Sequence, residues 1–261
     1  MVAMPQIPDH ESREYFAARD GVQLAYRVVG EPDARRDLVL VHGFLSNGYV
    51  NWVRYGHART LADAGFRVIM PDLRAHGYSA HPHDPGSYPA DVLVSDGFDL
   101  IEHLGLGDYD LAGYSLGSRT AARLVACGAH PRRLVLAGLG LSQVTTAALG
   151  QQRFDRLFGG LGSHKRGSDE WRSEAFMRST GTDPVAARLV LVSSMGVPEA
   201  QLEEIVVPTL VLMGSADDDH GSGRALADLL PVSRYEEIPG NHMSAVSNRA
   251  LGTSIRDFLI G

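Results

Sequence analysis

DLAGYSLGSRT, residues 110–120, sets a serine between two glycines, after an apolar run and before a helix-forming one. The run YDLAGY (109–114) is patterned as a strand, and the residues from Ser115 to about Cys127 as a helix. Gly113, Ser115 and Gly117 therefore fit G-x-S-x-G in the strand–turn–helix setting that this pattern needs. To project its hydroxyl from so sharp a turn, a serine takes a strained backbone conformation, and side chains two residues to either side would collide. The following helix offers free amides and a positive end to a developing oxyanion. The competing reading makes Ser115 an ordinary helix N-cap. What separates the two is whether partners for a nucleophile occur at matching places.

Working outward, short strand-like runs alternate with helical patterns. YFAAR and VQLAYRVVG straddle the turn Asp20-Gly21, a hairpin signal. LVLVH (38–42) is a compact apolar run of the kind buried on both faces of a sheet, and FRVIMPD (66–72) is the next strand. Helical segments are expected at 57–64, about 89–104 and 245–259, and further strands at 133–139, 208–214 and 233–239. This rhythm predicts an α/β fold: a mostly parallel central sheet with helices on both faces, the opening hairpin forming its antiparallel edge. Between about 141 and 205 the rhythm breaks into Gly- and Ser-rich text with helical pieces and no strand signal. The expected organisation is a core domain of residues 1–140 and 206–261, with 141–205 as a helical cap or lid insertion.

A hydroxyl needs a base, and the base an orienting carboxylate. His242, in IPGNHMSAV, follows the last strand signal and precedes the last helix. Asp217, in LVLMGSADDDHG, follows the strand 208–214, with Asp218 and Asp219 beside it as charges for a helix N-terminus. Each candidate sits at the carboxyl end of a strand, where open α/β sheets bind ligands, and the chain order Ser115, Asp217, His242 suits that architecture. The oxyanion would be held by the backbone N–H of Leu116 and by that of Phe44, in the loop HGFLSN where Gly43 lets the backbone approach closely.

Composition narrows the alternatives. The chain has 261 residues, 44% hydrophobic and 21% charged, enough to bury a full core. A formal net charge of −7 argues against a general nucleic-acid binder. Cys127 is the one cysteine; it reads as core and fits a reducing compartment. No apolar run reaches the length of a membrane span, and MVAMPQIPDHESREYF lacks the pattern of a secretory signal, so the expected location is cytoplasmic. Neither HPHD (81–84) nor DDDH (217–220) reads as a metal site, because the first lies in a Pro-rich loop and consecutive carboxylates point apart. GLGLS and GGLGS lack the full dinucleotide fingerprint. No metal or organic cofactor is expected.

Together HGF (42–44), PDLRAHGYSA (71–80), GYSLGS (113–118), GSAD (214–217) and GNH (240–242) resemble the α/β-hydrolase superfamily, over the sheet-forming parts from about residue 13 to the C-terminus but not the insertion. The resemblance implies that the acid three residues after the strand-ending Gly214 is the orienting one, hence Asp217, and that Asp72, Arg74, Gly77 and Ser79 organise a loop beside the site. In that loop His76 is no second base. The nucleophile position holds Ser, where epoxide hydrolases and haloalkane dehalogenases carry Asp, and H-G-G-G and H-G-G-P-G stretches are missing. The pattern is most similar to small bacterial esterases, C–C bond hydrolases and cofactor-free perhydrolases. It implies a serine hydrolase acting on a small carboxylic ester, or with the same three residues on a C–C, lactone or thioester bond, or a hydrolase-like small-molecule receptor. Phe44, Tyr114, Trp171 and Met195 are candidate pocket residues. Whether the protein is a monomer or a homodimer is open at this stage.

Overall fold

The apolar runs join into one eight-stranded sheet in the computed structural model, which describes residues 13–261. The strands are β1 (Arg13–Ala17), β2 (Gln23–Val29), β3 (Arg36–Val41), β4 (Phe66–Pro71), β5 (Tyr109–Tyr114), β6 (Leu134–Ala137), β7 (Thr209–Gly214) and β8 (Ser233–Ile238). They lie in the order β1-β2-β4-β3-β5-β6-β7-β8. β1 and β2 pair antiparallel, as do β2 and β4, and every later joint is parallel. The hairpin expected at Asp20-Gly21 thus forms the antiparallel edge, with Gly21 at φ +84° in its turn. The stretch read for a leader, residues 1–16, lies outside the described residues up to position 12.

Alternation along the central strands sorts their side chains into two cores. Leu38 and Leu40 of β3 pack with α1 (His57–Ala62) and α11 (Arg249–Ile260), through Leu61, Leu251 and Ile255. Val39 and Val41 pack on the other face with α2 (Val92–Leu104), α3 (Leu116–Ala126) and α9 (Gly223–Leu229), through Leu100, Ala121 and Leu226. Burial on both faces is why β3 reads as an unbroken apolar run rather than an alternating one. Truncating one such residue, as in Leu40→Ala, costs about 2–5 kcal/mol.

β3 is flanked by β4 on one side and β5 on the other, so the chain leaves it in opposite directions along the sheet. That reversal opens a crevice at the carboxyl ends of β3 and β5, where the HGF loop and Ser115 emerge. Between β6 and β7 the described chain is helical: α4 (Leu141–Thr145), α5 (Ala147–Gly159), α6 (Asp169–Thr180), α7 (Pro184–Ser193) and α8 (Glu199–Leu202). Ser168 caps α6 by accepting from the Trp171 N–H, and Asp183 caps α7 ahead of Pro184. Leu157, Met177 and Ala187 of these helices enclose Leu45 and Phe44 of the HGF loop in a small apolar cluster of their own.

Two local expectations are corrected. Cys127 is exposed, not core: α3 ends at Ala126, Gly128 turns the chain at φ +105°, and position 127 falls outside the buried face. The last helix is interrupted: α10 (His242–Ala245) stops, and Asn248 caps α11 afresh by accepting from the Ala250 N–H. Among the described residues no helix is long and apolar enough to cross a membrane.

Candidate active site

Ser115 sits at φ +55°, ψ −119°, the dihedrals of the first central position of a type II′ turn, a region glycine normally fills. A Cβ on Gly113 would come within 2.2 Å of the Gly117 carbonyl oxygen, and one on Gly117 within 2.2 Å of the Val41 carbonyl oxygen. Both flanking positions therefore exclude any larger residue. The Ser118 hydroxyl braces the turn, within reach of the Gly113 and Ala137 carbonyls at 2.8 and 2.6 Å.

His242 is the first residue of α10, where Asn241 closes a capping box with Ser244. The Tyr114 hydroxyl donates to the His242 carbonyl at 2.6 Å and fixes its backbone. The loop carrying Asp217 is sewn to the His242 loop by the Ser215 N–H on Ile238 and the Ala216 N–H on the Gly240 carbonyl. Asp217 is buried, and Asp218 and Asp219 turn to solvent. They are not helix N-terminal charges, because α9 begins only at Gly223 under a Ser222 cap.

These placements bring three sequence-predicted residues into line. Ser115 Oγ lies 3.0 Å from His242 Nε2, and His242 Nδ1 lies 3.0 Å from Asp217 Oδ2. A carboxylate only accepts, so Nδ1 carries the proton and Nε2 is left to accept from the serine hydroxyl. Burial pushes the Asp217 carboxyl up, but hydrogen bonds from His220 and His242 outweigh it and hold the group at about 2. It is ionised throughout the neutral range. A hydroxyl so paired can lose its proton as it attacks an electrophilic carbon.

The sequence reading missed His220. Its Nδ1 lies 2.6 Å from Asp217 Oδ1, so the two carboxylate oxygens each hold one imidazole. The rings of His220 and His242 stack at 3.6 Å between centroids and 13° between planes. The available signal is the three-residue spacing of Asp217 and His220 within DDDH (217–220), which the sequence offers only as a metal pattern. Asp217, His220 and His242 do offer metal-ligating atoms within 4.8 Å of one another. In this arrangement those atoms are engaged with each other by hydrogen bonds.

The HGF loop is held by two buried histidines. His42 Nε2 accepts from the Leu73 N–H at 2.9 Å, and His76 Nε2 accepts from the Leu45 N–H at 3.1 Å. Burial pushes His42 down to about 4, and burial with His42 alongside pushes His76 down to about 3. Both are neutral struts at neutral pH. Among the described residues, no group accepts from the N–H of Phe44 or of Leu116, and both residues line the cavity at Ser115. Behind the loop, Asp72 accepts from the Gly48 and Tyr78 N–H groups at 2.8 and 2.9 Å, and buried Arg74 pairs with Asp96 and Asp20 at 2.7 and 2.6 Å.

The cavity beside Ser115 measures about 150 Å³, with Phe44, Leu139, Phe154, Phe176 and Leu191 among its walls. Of the four candidate pocket residues, Phe44 lines it and the other three do not. Tyr114 packs in the core under the sheet face, Trp171 stands exposed on α6, and Met195 lines a separate small cavity.

Against known proteins, the alpha/beta hydrolase fold family matches residues 38–134. A non-heme chloroperoxidase, CPO-A1, from Kitasatospora aureofaciens is 26% identical over 259 residues, covering 85% of this chain and 89% of that protein. Epoxide hydrolases match over a smaller part, one of them over 42% of this chain and 31% of its own length. Among solved structures, a hydrolase from Pseudomonas aeruginosa superposes with a TM-score of 0.74 at 25% identity, covering 96% of this chain and 99% of the other. An esterase from Exiguobacterium antarcticum, 20% identical, shares the fold with a TM-score of 0.73 over 95% of this chain and 99% of its own. The sheet order, the serine turn at its switch point and these matches agree: the chain belongs to the α/β-hydrolase superfamily and is a hydrolase of it.

Proposed function

We propose that this hydrolase cleaves a small carboxylic ester through an acyl-enzyme formed on Ser115. The observation that carries the reading is the hydrogen-bond run from Ser115 Oγ through His242 to Asp217, at 3.0 Å a step. In this reading Ser115 Oγ attacks the acyl carbon while its proton passes to His242 Nε2. Asp217 holds the ring in the useful tautomer and offsets the charge of the imidazolium. The N–H groups of Phe44 and Leu116 receive the oxyanion, and loss of one such donor typically lowers kcat by about 10²–10³. The tetrahedral intermediate collapses, the alkoxide leaves with the proton from His242, and the acyl group stays on Ser115. Water, deprotonated in turn by His242, then frees the carboxylic acid and restores the serine.

A hydroxyl, not a carboxylate, heads α3, which favours an acyl intermediate over an alkyl one. Residues 141–205 act in this proposal as a cap, since Phe154, Phe176 and Leu191 supply the outer wall of the cavity. The test is Ser115→Ala on a chromogenic short-chain ester. We expect kcat/KM to fall by roughly 10⁴ or more with an unchanged circular dichroism spectrum, together with loss of fluorophosphonate labelling. Undiminished turnover by the folded variant would end the proposal.

A further inference from the structure

Arg119 lies one helical turn after Ser115, on α3, and is 5% exposed. It lines the same cavity as Ser115 and Leu116. Its Nη1 donates to the Gln143 carbonyl at 3.2 Å, while its Nε is buried with no hydrogen-bond partner. Among the described residues no carboxylate pairs with it. The contrast with its neighbours is sharp. Arg123, one turn on, has Asp91 at 2.8 Å, and Arg74 has two carboxylates. The second arginine on the cavity wall, Arg172, is exposed and faces Asp169 at 2.9 Å.

A guanidinium removed from water without a counter-charge is costly, and an anion bound beside it offsets that cost. Burial alone lowers the Arg119 pKa, to about 10, so the side chain remains a cation at neutral pH. Phe44, Leu139, Phe154, Phe176 and Leu191 make much of the remaining wall apolar, beside Gln143 and the two histidines, so the cavity holds one buried guanidinium together with the Ser115 hydroxyl. Arg forks match carboxylates in shape as well as charge.

We infer that Arg119 is a substrate-binding residue that selects esters whose acyl part carries a second carboxylate, the hemiesters of short dicarboxylic acids. The fork holds the far carboxylate while the near acyl carbon meets Ser115. One helical turn, about 5.4 Å, separates their backbone positions, which suits an acyl chain of only a few carbons. This inference rests on the ester-hydrolase reading above and adds the substrate class to it.

The experiment compares monoethyl glutarate with ethyl pentanoate, a neutral ester of similar length, by proton release in a pH-stat. Wild type should favour the hemiester in kcat/KM by about tenfold or more, the scale of a charge-assisted hydrogen bond. Arg119→Met should collapse that ratio, and Arg119→Lys should restore part of it. An equal fall on both esters, or a ratio unchanged by Arg119→Met, overturns the inference. Wild-type preference for the neutral ester also overturns it. A second readout does not need turnover: glutarate should raise the Tm of Ser115→Ala and not that of Ser115→Ala/Arg119→Lys to the same extent. If the wild type cleaves neither ester yet glutarate still stabilises the chain through Arg119, the hydrolase reading fails and the anion site stands. If the neutral ester is cleaved and glutarate has no effect, the anion site fails and the hydrolase reading stands.

Discussion

The strain at Ser115 has a measurable consequence. At φ +55°, ψ −119° a residue with a Cβ occupies a conformation that glycine adopts freely. Holding a side chain there stores about 1–3 kcal/mol. Two variants separate this strain from the chemistry. Ser115→Ala and Ser115→Gly both lose the hydroxyl and its contact with His242, but Ala keeps the Cβ and Gly does not. Gly gives back about 0.4–1 kcal/mol through the larger entropy of its unfolded chain. The glycine variant should therefore be the more stable by about 0.5–2 kcal/mol once the two effects are set against each other. For a chain of this size that is roughly 1–8 °C in Tm. Scanning calorimetry of the two proteins in one buffer measures the difference, and both should be inactive on esters. A glycine variant that melts at or below the alanine variant would refute the claim that the turn is strained. It would leave the G-x-S-x-G geometry without its physical reason.

Three further outcomes are expected. Arg74→Met removes a cation held between Asp96 and Asp20 and leaves buried carboxylate behind, so urea unfolding should show a loss of about 3–5 kcal/mol. His220→Ala frees one oxygen of Asp217, and kcat/KM should fall about tenfold with KM little changed, the scale of one charge-assisted hydrogen bond; a change confined to KM would make His220 only a cavity wall. The Asp217 carboxyl sits at about 2 against an ordinary 3.8, so it contributes stability above the unfolded value that is lost as pH falls toward 2. That shift is worth about 2 kcal/mol, and the stability gap between wild type and Asp217→Asn should close between pH 5 and about 2; a gap constant across that range counts against it.

What was legible in the sequence is what local backbone chemistry dictates. Gly113 and Gly117 announce a turn that tolerates no Cβ, and strand runs bounded by glycine and proline announce a parallel sheet. What was not legible depends on neighbours distant in the chain. Tyr114 was read toward the pocket, yet the period of two puts it with Ala112 on the α1 and α11 face, where its hydroxyl reaches the His242 backbone instead. Strand parity alone predicts that placement. Parity predicts nothing comparable for His220 and Arg119. Helical periodicity places Arg119 on α3 but says nothing of its partners, and each residue gains its meaning from groups on other elements: Asp217 and His242 for His220, the lack of a carboxylate for Arg119. Cys127 illustrates the limit of composition, since one residue past the end of an apolar helix face is enough to turn it outward.

The site's precision comes from sheet register more than from any side chain. Val41 of β3 pairs with Gly113 of β5, so the HGF loop and the serine turn leave the sheet side by side. Counted from that pair, His42 runs beside Tyr114 and Gly43 beside Ser115. A Cβ added to Gly43 would stand 3.3 Å from that of Ser115. The Phe44 and Leu116 amides follow one residue later on each branch, which brings both to the same cavity. In the proposed mechanism, a slip of one residue between β3 and β5 would displace one amide by about 3.3 Å, beyond hydrogen-bond reach of an oxyanion held by the other. Burial of both faces of β3 opposes that slip, because it would move Leu38 and Leu40 toward the wrong core. The apolar run that identifies the central strand is thus also what sets the distance between the two amides. For this reason a volume change in the sheet core, far from Ser115, should lower kcat before it lowers binding.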